Sequence, residues 1–221
     1  MKVALRAISL VACTALVLAI PSIAHAQISA TVYEGIPDPG NSGDVANQTA
    51  ANATFDISGT TGINFQSALT SYSNITQFLN NPTYLTESAT FDPNASVDNT
   101  ELVITGSTFL AAGENSFVVG HDDGVVLTMP GIGTGSFGNI VNEPGPTSLN
   151  ETNFNVDNTG AAGEFAFVLD YAECCGAPAD LVFTINGAPI TTTVTPEPSS
   201  FIMLGSGLLA CAGMVRRRLM A

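Results

Sequence analysis

The residues with the clearest chemical potential are Gly120-His121-Asp122-Asp123-Gly124, which lie between two apolar runs. Two adjacent carboxylates beside glycine can turn toward one ion, and hard oxygen ligands of this kind suit Ca²⁺. The same letters are also ideal for an Asp-Gly hairpin turn, and taken alone they favour that turn. Asp122 and Asp123 are therefore candidate Ca²⁺ ligands, with the hairpin as the alternative.

Charge is distributed unevenly along the 221 residues. All five Lys and Arg residues lie near the two ends, whereas every acidic residue except Glu197 lies between Gln27 and Thr195. Calcium or solvent must screen these carboxylates, and the simpler role of the charge is solubility outside the cell. Nucleic acid, phosphate and anionic membrane surfaces are poor partners, because their affinity depends on Lys and Arg.

The residues available do not support an enzyme. His121 is the only histidine of the mature region, no adjacent serine is identifiable as a nucleophile, and no Lys or Arg can form an oxyanion clamp. We expect His121 to be a turn residue and not a metal ligand. Paired carboxylates could hydrolyse glycosides, but no spacing selects a pair, so we predict no catalytic residue.

Cys174 and Cys175 are the only cysteines outside the apolar ends, and they are adjacent. Adjacent cysteines close only a strained ring, so they do not form the disulfide framework of a small secreted domain. A reduced pair, a strained vicinal disulfide and an intermolecular bond are all compatible with the sequence.

Residues 1–26 read as a secretory signal peptide. The segment has a positive n-region, an apolar h-region and a small-x-small cleavage site, formed by Lys2 and Arg6, by Ala7–Ile20 and by Ala24-His25-Ala26. Signal peptidase is expected to cut between Ala26 and Gln27. A lipobox at Leu10-Val11-Ala12-Cys13 is the alternative, but it leaves only a short apolar run after Arg6.

Residues 195–221 have a three-part pattern. Pro196-Glu197-Pro198 is a rigid, helix-breaking entry, Phe201–Val215 is uncharged, and Arg216, Arg217 and Arg218 form a positive stop. At 1.5 Å per residue the apolar part spans about 22 Å, less than the ~30 Å hydrocarbon core. It predicts a single transmembrane helix that serves better as a processing signal than as a permanent anchor, the plain anchor being the alternative.

This pattern resembles the PEP-CTERM sorting domain over about the last 25 residues, with Thr195 where that family usually has Val. The resemblance implies export, recognition of the tail by an exosortase-type membrane peptidase, and delivery to the cell surface or extracellular polymer of Gram-negative bacteria. It indicates where the protein goes and not what residues 27–194 do.

Short β-rich runs separated by Gly, Pro and Asn predict an all-β fold, an antiparallel β-sandwich over residues 27–194. The runs are Ile28–Tyr33, Thr54–Ile57, Leu102–Thr105, Ser116–Val119, Val125–Thr128, Glu164–Tyr171 and Leu181–Ile185. Apolar spacing in Ser67–Leu85 predicts a short amphipathic helix that ends at Asn80-Asn81-Pro82, whereas Glu34–Asn52 and Gly131–Gly138 read as loops.

Phe117–Leu127 resembles the signature of PA14-type β-sandwiches, in which a strand ends in Asp-Asp-Gly and an apolar strand follows. Ala111–Ser116 corresponds to that family's loop into the strand, and Tyr171-Ala172-Glu173, Gly176-Ala177 and Leu181 correspond to its closing strand pair. The resemblance covers roughly Leu102 to Asn186 and does not reach the N-terminal third.

In lectin-like members of that family, including fungal adhesins, the paired aspartates bind Ca²⁺ and the ion holds sugar hydroxyls. The resemblance implies this role for Asp122 and Asp123, with further ligands from a later loop. Asn155, Asp157 and Asn158 are candidates for those ligands by residue type. Many PA14-type domains bind no sugar, so the family alone does not decide the function.

The sequence thus predicts an exported, surface-associated module that contacts extracellular polysaccharide in a Ca²⁺-dependent way. Its processing partners are signal peptidase and an exosortase-type enzyme, and its C-terminal helix places it in the membrane at least transiently. The alternatives are a purely structural matrix component without a ligand and, with less support, a secreted glycoside hydrolase.

Overall fold

The described part of the chain consists almost entirely of antiparallel strands. A computed structural model describes residues 28–36, 50–57, 61–66, 74–130, 139–175 and 177–191. Its elements are β1 (Ile28–Glu34), β2 (Ala53–Ile57), β3 (Asn64–Gln66), α1 (Ile75–Phe78), β4 (Tyr84–Glu87), β5 (Thr100–Leu110), β6 (Gly113–Asp122), β7 (Gly124–Thr128), β8 (Asn139–Glu143), β9 (Asn150–Asn158), β10 (Gly163–Glu173), β11 (Asp180–Ile185) and β12 (Ala188–Pro189).

The strands form two sheets. The larger sheet has the order β4-β2-β1-β5-β10-β7-β8, and the smaller sheet has the order β12-β11-β6-β9, with β3 also paired to β11. Every pair is antiparallel. The consecutive strands β6 and β7 therefore belong to different sheets, and the chain changes sheet between them.

The two sheets bury one apolar face each against the other. On β10 the residues that alternate toward the core, Phe167, Leu169 and Tyr171, are all at most 1% exposed. Phe167 of the larger sheet meets Phe183 of the smaller sheet edge to face, with ring centroids 5.7 Å apart. This packing confirms the predicted all-β sandwich, since period-two alternation buries one face of each strand.

The seven predicted strands are all present, and several extend further than the alternation indicated. Strands β3, β4, β8, β9 and β12 were not predicted. In the described part of the Ser67–Leu85 segment the helix comprises Ile75–Phe78 and ends before Asn80-Asn81-Pro82, as predicted, and residues 67–73 lie outside the described residues. Asn80 and Asn81 have φ of 62° and 55°, and this left-handed pair ends the helix after one turn.

Several predictions fall outside the described residues. They concern the signal helix, the cleavage site at Ala26 and Gln27, most of the Glu34–Asn52 loop, the Gly131–Gly138 loop, and the C-terminal helix with its sorting motif. Within the described ranges, no helix has the length and apolar character needed to cross a bilayer.

Asp170 on β10 provides a test of how burial affects the stability of the sandwich. It lies in register between Val103 and Val126, and burial raises the pKa of its carboxyl from the ordinary 3.8 to about 6. An acid with a raised pKa in the folded state stabilises the fold below its unfolded pKa, and this contribution is lost as the pH rises through 6. The full shift corresponds to about 3 kcal/mol, which partial exposure and solvent screening reduce to about 1 kcal/mol.

We therefore expect Asp170→Asn to match the wild type near pH 4 and to be about 1 kcal/mol more stable at pH 7. Urea unfolding of both proteins across this range measures the difference. A stability difference that does not change with pH would show that Asp170 titrates normally.

Candidate functional site

Asp122 and Asp123 lie where the chain crosses from one sheet to the other. Asp122 ends β6, Gly124 begins β7, and Asp123 is the single residue between them, with a left-handed φ of 61°. The hairpin interpretation of Asp-Asp-Gly is wrong, because β6 pairs with β9 and β11 whereas β7 pairs with β8 and β10. Aspartate tolerates the left-handed region better than most residues, which suits it to this sharp crossing.

The Asp123 carboxylate is fixed by backbone amides from two other parts of the chain. The Thr147 amide, in the β8–β9 connection, donates to Oδ1 at 3.2 Å, and the Cys174 amide, just after β10, donates to Oδ2 at 2.6 Å. Asp123 is only 3% exposed. Burial nevertheless raises the pKa of Asp123, and neighbouring Asp122 raises it further, while the two amides oppose the shift.

Asp122 is buried in a similar acidic environment. Burial raises the pKa of its carboxyl, the amides of Leu149 and Asp123 lower it, and the nearby Asp180 carboxylate raises it again. Asp180 lies directly opposite Asp122 in the β6–β11 register, and its Oδ2 accepts a hydrogen bond from Gln66 Nε2 at 2.8 Å. A second strand therefore brings another carboxylate to the same end of the sandwich.

Glu173 supplies a further carboxylate that sequence reasoning did not assign. It points inward from the end of β10 and is fully buried, and its Oε2 accepts a 2.5 Å hydrogen bond from the Tyr171 hydroxyl. Its other oxygen, Oε1, has no hydrogen-bond partner among the described residues. Burial first, and then the charges of Asp123 and Asp122, raise the pKa of Glu173 to about 10.

Carboxylate oxygens of Asp122, Asp123 and Glu173 lie within 4.8 Å of one another. Two oxygens that bind the same Ca²⁺ at about 2.4 Å are at most about 4.8 Å apart. The spacing therefore fits a shared ion, and carboxylates are the hard ligands that Ca²⁺ prefers. These three side chains would hold the ion at the sheet crossing.

The described residues include no Lys or Arg that could compensate this charge, since the sequence has none between Arg6 and Arg216. His121 is the nearest cationic candidate. A buried carboxylate without a counter-charge is costly, and it is either protonated or paired with a cation. Either protonation or a bound cation would therefore balance these carboxylates.

His121 is a buried strand residue on β6, so the expectation that it lies in a turn is wrong. Its Nδ1 lies 2.7 Å from the Asp123 carbonyl oxygen, which only accepts, so Nδ1 carries the proton and donates. Its Nε2 lies 3.3 Å from Glu143 Oε2, at ion-pair distance but without the alignment of a hydrogen bond. The imidazole therefore fixes the backbone of Asp123 through the Nδ1 hydrogen bond. Its Nε2 faces Glu143 and not the candidate ion.

A cavity of about 500 Å³ opens beside Asp122 and Asp123. Its remaining lining comes from the β8–β9 connection and the segment after β10: Pro146, Thr147, Ser148, Leu149, Cys174, Cys175, Ala177 and Pro178. A disulfide joins Cys174 to Cys175. Of the three states compatible with the sequence, a reduced pair, a vicinal disulfide and an intermolecular bond, the structure has the vicinal disulfide. The cavity combines carboxylates with apolar side chains, among them Leu149, which is 50% exposed.

The further ligands suggested from Asn155, Asp157 and Asn158 were wrongly placed. These residues lie at the end of β9 that pairs with Gly113–Ser116, about 20–30 Å along β6 from Asp122. Asn158 is occupied structurally, since its Nδ2 donates to the carbonyls of Ala111 and Ala161 at 3.0 and 3.1 Å. The later segment that does reach the site is the Thr147–Leu149 stretch, which carries no ligand-rich motif.

The fold is that of a PA14-type β-sandwich. It is similar to the PA14 domain of the MpAFP antifreeze protein, with a TM-score of 0.54, 19% identity and coverage of 75% of this chain and 87% of that one. It is also similar to a PA14 sugar-binding domain from an RTX adhesin, with a TM-score of 0.50, 18% identity and coverage of 74% and 90%. At these identities the similarity establishes the fold alone.

Residues 194–218 match the PEP-CTERM protein-sorting motif. The chain thus carries a sorting tail, which indicates an exported, envelope-associated protein and implies processing by an exosortase. Among curated proteins, none matches the sequence.

Proposed function

We propose that this protein is an exported carbohydrate-binding module of the cell surface, in which a Ca²⁺ ion held by Asp122, Asp123 and Glu173 binds the hydroxyls of a neutral sugar. The observation that carries the proposal is the convergence of these carboxylates, without a basic residue, beside a cavity that has an apolar wall.

The ion accounts for the electrostatics of the site. Asp122, Asp123, Glu173 and Asp180 are all at most 8% exposed, and burial raises the pKa of each carboxyl. A divalent cation removes the repulsion among them and supplies a partner for Glu173 Oε1, which has no hydrogen bond among the described residues. Ca²⁺ suits the site better than Mg²⁺, because Ca²⁺ accepts irregular carboxylate geometry and Mg²⁺ demands a near-ideal octahedron.

The cavity favours a sugar as the ligand of this ion. A pyranose presents hydroxyls on its edge and C–H groups on its faces, which match a cation on one side and Leu149, Pro178 and the disulfide on another. Anionic ligands are disfavoured, because residues 27–195 contain acids and no Lys or Arg. The ligand class is therefore neutral glycans, and an extracellular polysaccharide is the natural source at a cell surface.

In this proposal the two terminal segments determine the cellular location of the module. Signal peptidase removes residues 1–26 at the Ala26–Gln27 bond, residues 27–194 form the extracytoplasmic domain, and residues 195–221 hold it in the membrane until the tail is processed. Pro196, Glu197 and Pro198 with Arg216, Arg217 and Arg218 are the elements read by the exosortase-type enzyme. A fluorescent fusion retained in the cytoplasm with both ends intact would contradict this placement.

Binding of the purified chain to an array of immobilised neutral and acidic glycans tests the proposed activity. We expect retention on a subset of neutral glycans in millimolar Ca²⁺ and loss of that retention in EDTA, because the ion is the direct contact of the sugar hydroxyls. Binding that is equal in Ca²⁺ and EDTA would contradict the ion's role. Retention of no glycan in either medium would favour a structural matrix protein without a ligand.

A further inference from the structure

We infer that the Cys174–Cys175 disulfide is part of the ligand-binding surface, where it forms the apolar platform on which the face of a pyranose ring packs while the ring hydroxyls contact the ion. This inference rests on the proposed carbohydrate function and assigns the position and orientation of the sugar within it.

The disulfide lies beside the candidate ion site. The Cys174 amide donates to Asp123 Oδ2 at 2.6 Å, so the cysteine pair begins at the hydrogen bond that fixes one of the ion's ligands. Cys174 is buried, Cys175 is exposed, and both line the cavity that also contacts Asp122 and Asp123. A ligand bound to the ion therefore has the disulfide as an adjacent wall.

A sugar face usually packs on an aromatic ring, and here the disulfide is the candidate for that surface. Among the described residues, the cavity lining contains no aromatic ring, and the sequence contains no Trp. Sulfur is soft and polarisable, so a disulfide can pack against the weakly polar C–H face of a sugar ring. A ring of two bonded sulfurs between adjacent residues presents such a surface in one fixed position, with Leu149 and Pro178 as its apolar neighbours.

A purely structural role explains this disulfide poorly. The stabilisation that a disulfide gives through the unfolded chain grows with the length of the loop it closes, and adjacent residues close the shortest loop possible. Cys175 also adopts a left-handed φ of 63° at an exposed position. Both features have a use if the pair is held in place to present its exposed member, Cys175, to a ligand.

The double variant Cys174→Ala/Cys175→Ala tests this inference, because it removes the sulfurs and leaves the Cys174 amide in the chain. Ca²⁺ affinity is measured by calorimetry, and glycan binding is measured on the neutral-glycan array in millimolar Ca²⁺. We expect Ca²⁺ affinity within about twofold of the wild type and glycan binding reduced at least about tenfold. Leu149→Ala should reduce glycan binding in the same direction, whereas Asp157→Asn, on the distant end of β9, should change neither measurement.

The other outcomes are distinguishable. Unchanged glycan binding in the double variant would overturn the platform. Loss of both Ca²⁺ and glycan binding would overturn it in favour of a role in shaping the ion site. A wild type that binds Ca²⁺ but no glycan would remove the platform and the carbohydrate function together, whereas a wild type that binds neither would remove the proposed function as a whole.

Discussion

Replacing Asp123 by alanine is expected to abolish Ca²⁺ binding and to lower the free energy of unfolding by about 3 kcal/mol, measured without metal. The variant leaves the amides of Thr147 and Cys174 without their acceptor in a buried site. Each such loss costs about 1–3 kcal/mol, and an alanine at a left-handed φ of 61° adds about 1 kcal/mol. Relief of repulsion from Asp122 offsets part of this cost.

Asp123→Asn separates the two roles of the side chain. It keeps one acceptor and tolerates the left-handed backbone, so we expect a smaller loss of stability, about 1 kcal/mol, in EDTA. It removes the charge, so Ca²⁺ affinity should still fall at least about 100-fold. Urea unfolding in EDTA and Ca²⁺ calorimetry measure the two effects, and Asp157→Asn is the matched control, because Asp157 is exposed and distant. Wild-type Ca²⁺ affinity in both Asp123 variants would exclude Asp123 as a ligand.

Replacing Glu173 by glutamine is expected to lower Ca²⁺ affinity about 10- to 100-fold while the domain stays folded. Glutamine has nearly the same volume and keeps an acceptor for the Tyr171 hydroxyl, which lies 2.5 Å from Glu173 Oε2. It lacks the charge of a carboxylate whose second oxygen is buried without a hydrogen-bond partner in the described structure. Calorimetric titration of Ca²⁺ into the variant measures the change.

Glu151→Gln is the control for Glu173→Gln, since Glu151 is exposed on β9. It should bind Ca²⁺ like the wild type and unfold at the same urea concentration. If Glu173→Gln also binds Ca²⁺ with wild-type affinity, Glu173 is a structural partner of Tyr171 and the ion is held without it. If the variant fails to fold, the Tyr171–Glu173 pair depends on the acid itself, and Glu173→Asp, which keeps the acid, should then fold better than Glu173→Gln.

The parts of the fold that the sequence predicted are the strands with one strictly apolar face. Phe165, Phe167, Leu169 and Tyr171 alternate without interruption, and β10 is present with the predicted face inward. Strand β9 was missed because it is an edge strand with five Asn or Asp residues in nine, and only Phe154 and Val156 mark its inward face. Polar edge strands lack the alternation on which strand prediction depends.

The site was predictable only in part. Adjacent aspartates before glycine identified Asp122 and Asp123 as candidates, but local sequence does not say whether the flanking strands pair, so it could not exclude the hairpin. Glu173 shares the inward face of Tyr171 by its spacing of two, and this signal was available. Its proximity to Asp123 was not, because it follows from the pairing of β10 with β7, which places Ala172 opposite Gly124.

Crystallography of the protein at saturating Ca²⁺, with the ion identified from its anomalous scattering, tests the central claim most directly. The account predicts one ion at the sheet crossing, about 2.3–2.6 Å from carboxylate oxygens of Asp122, Asp123 and Glu173. Well-defined density for these side chains without an ion between them, at a Ca²⁺ concentration of several millimolar, would contradict it.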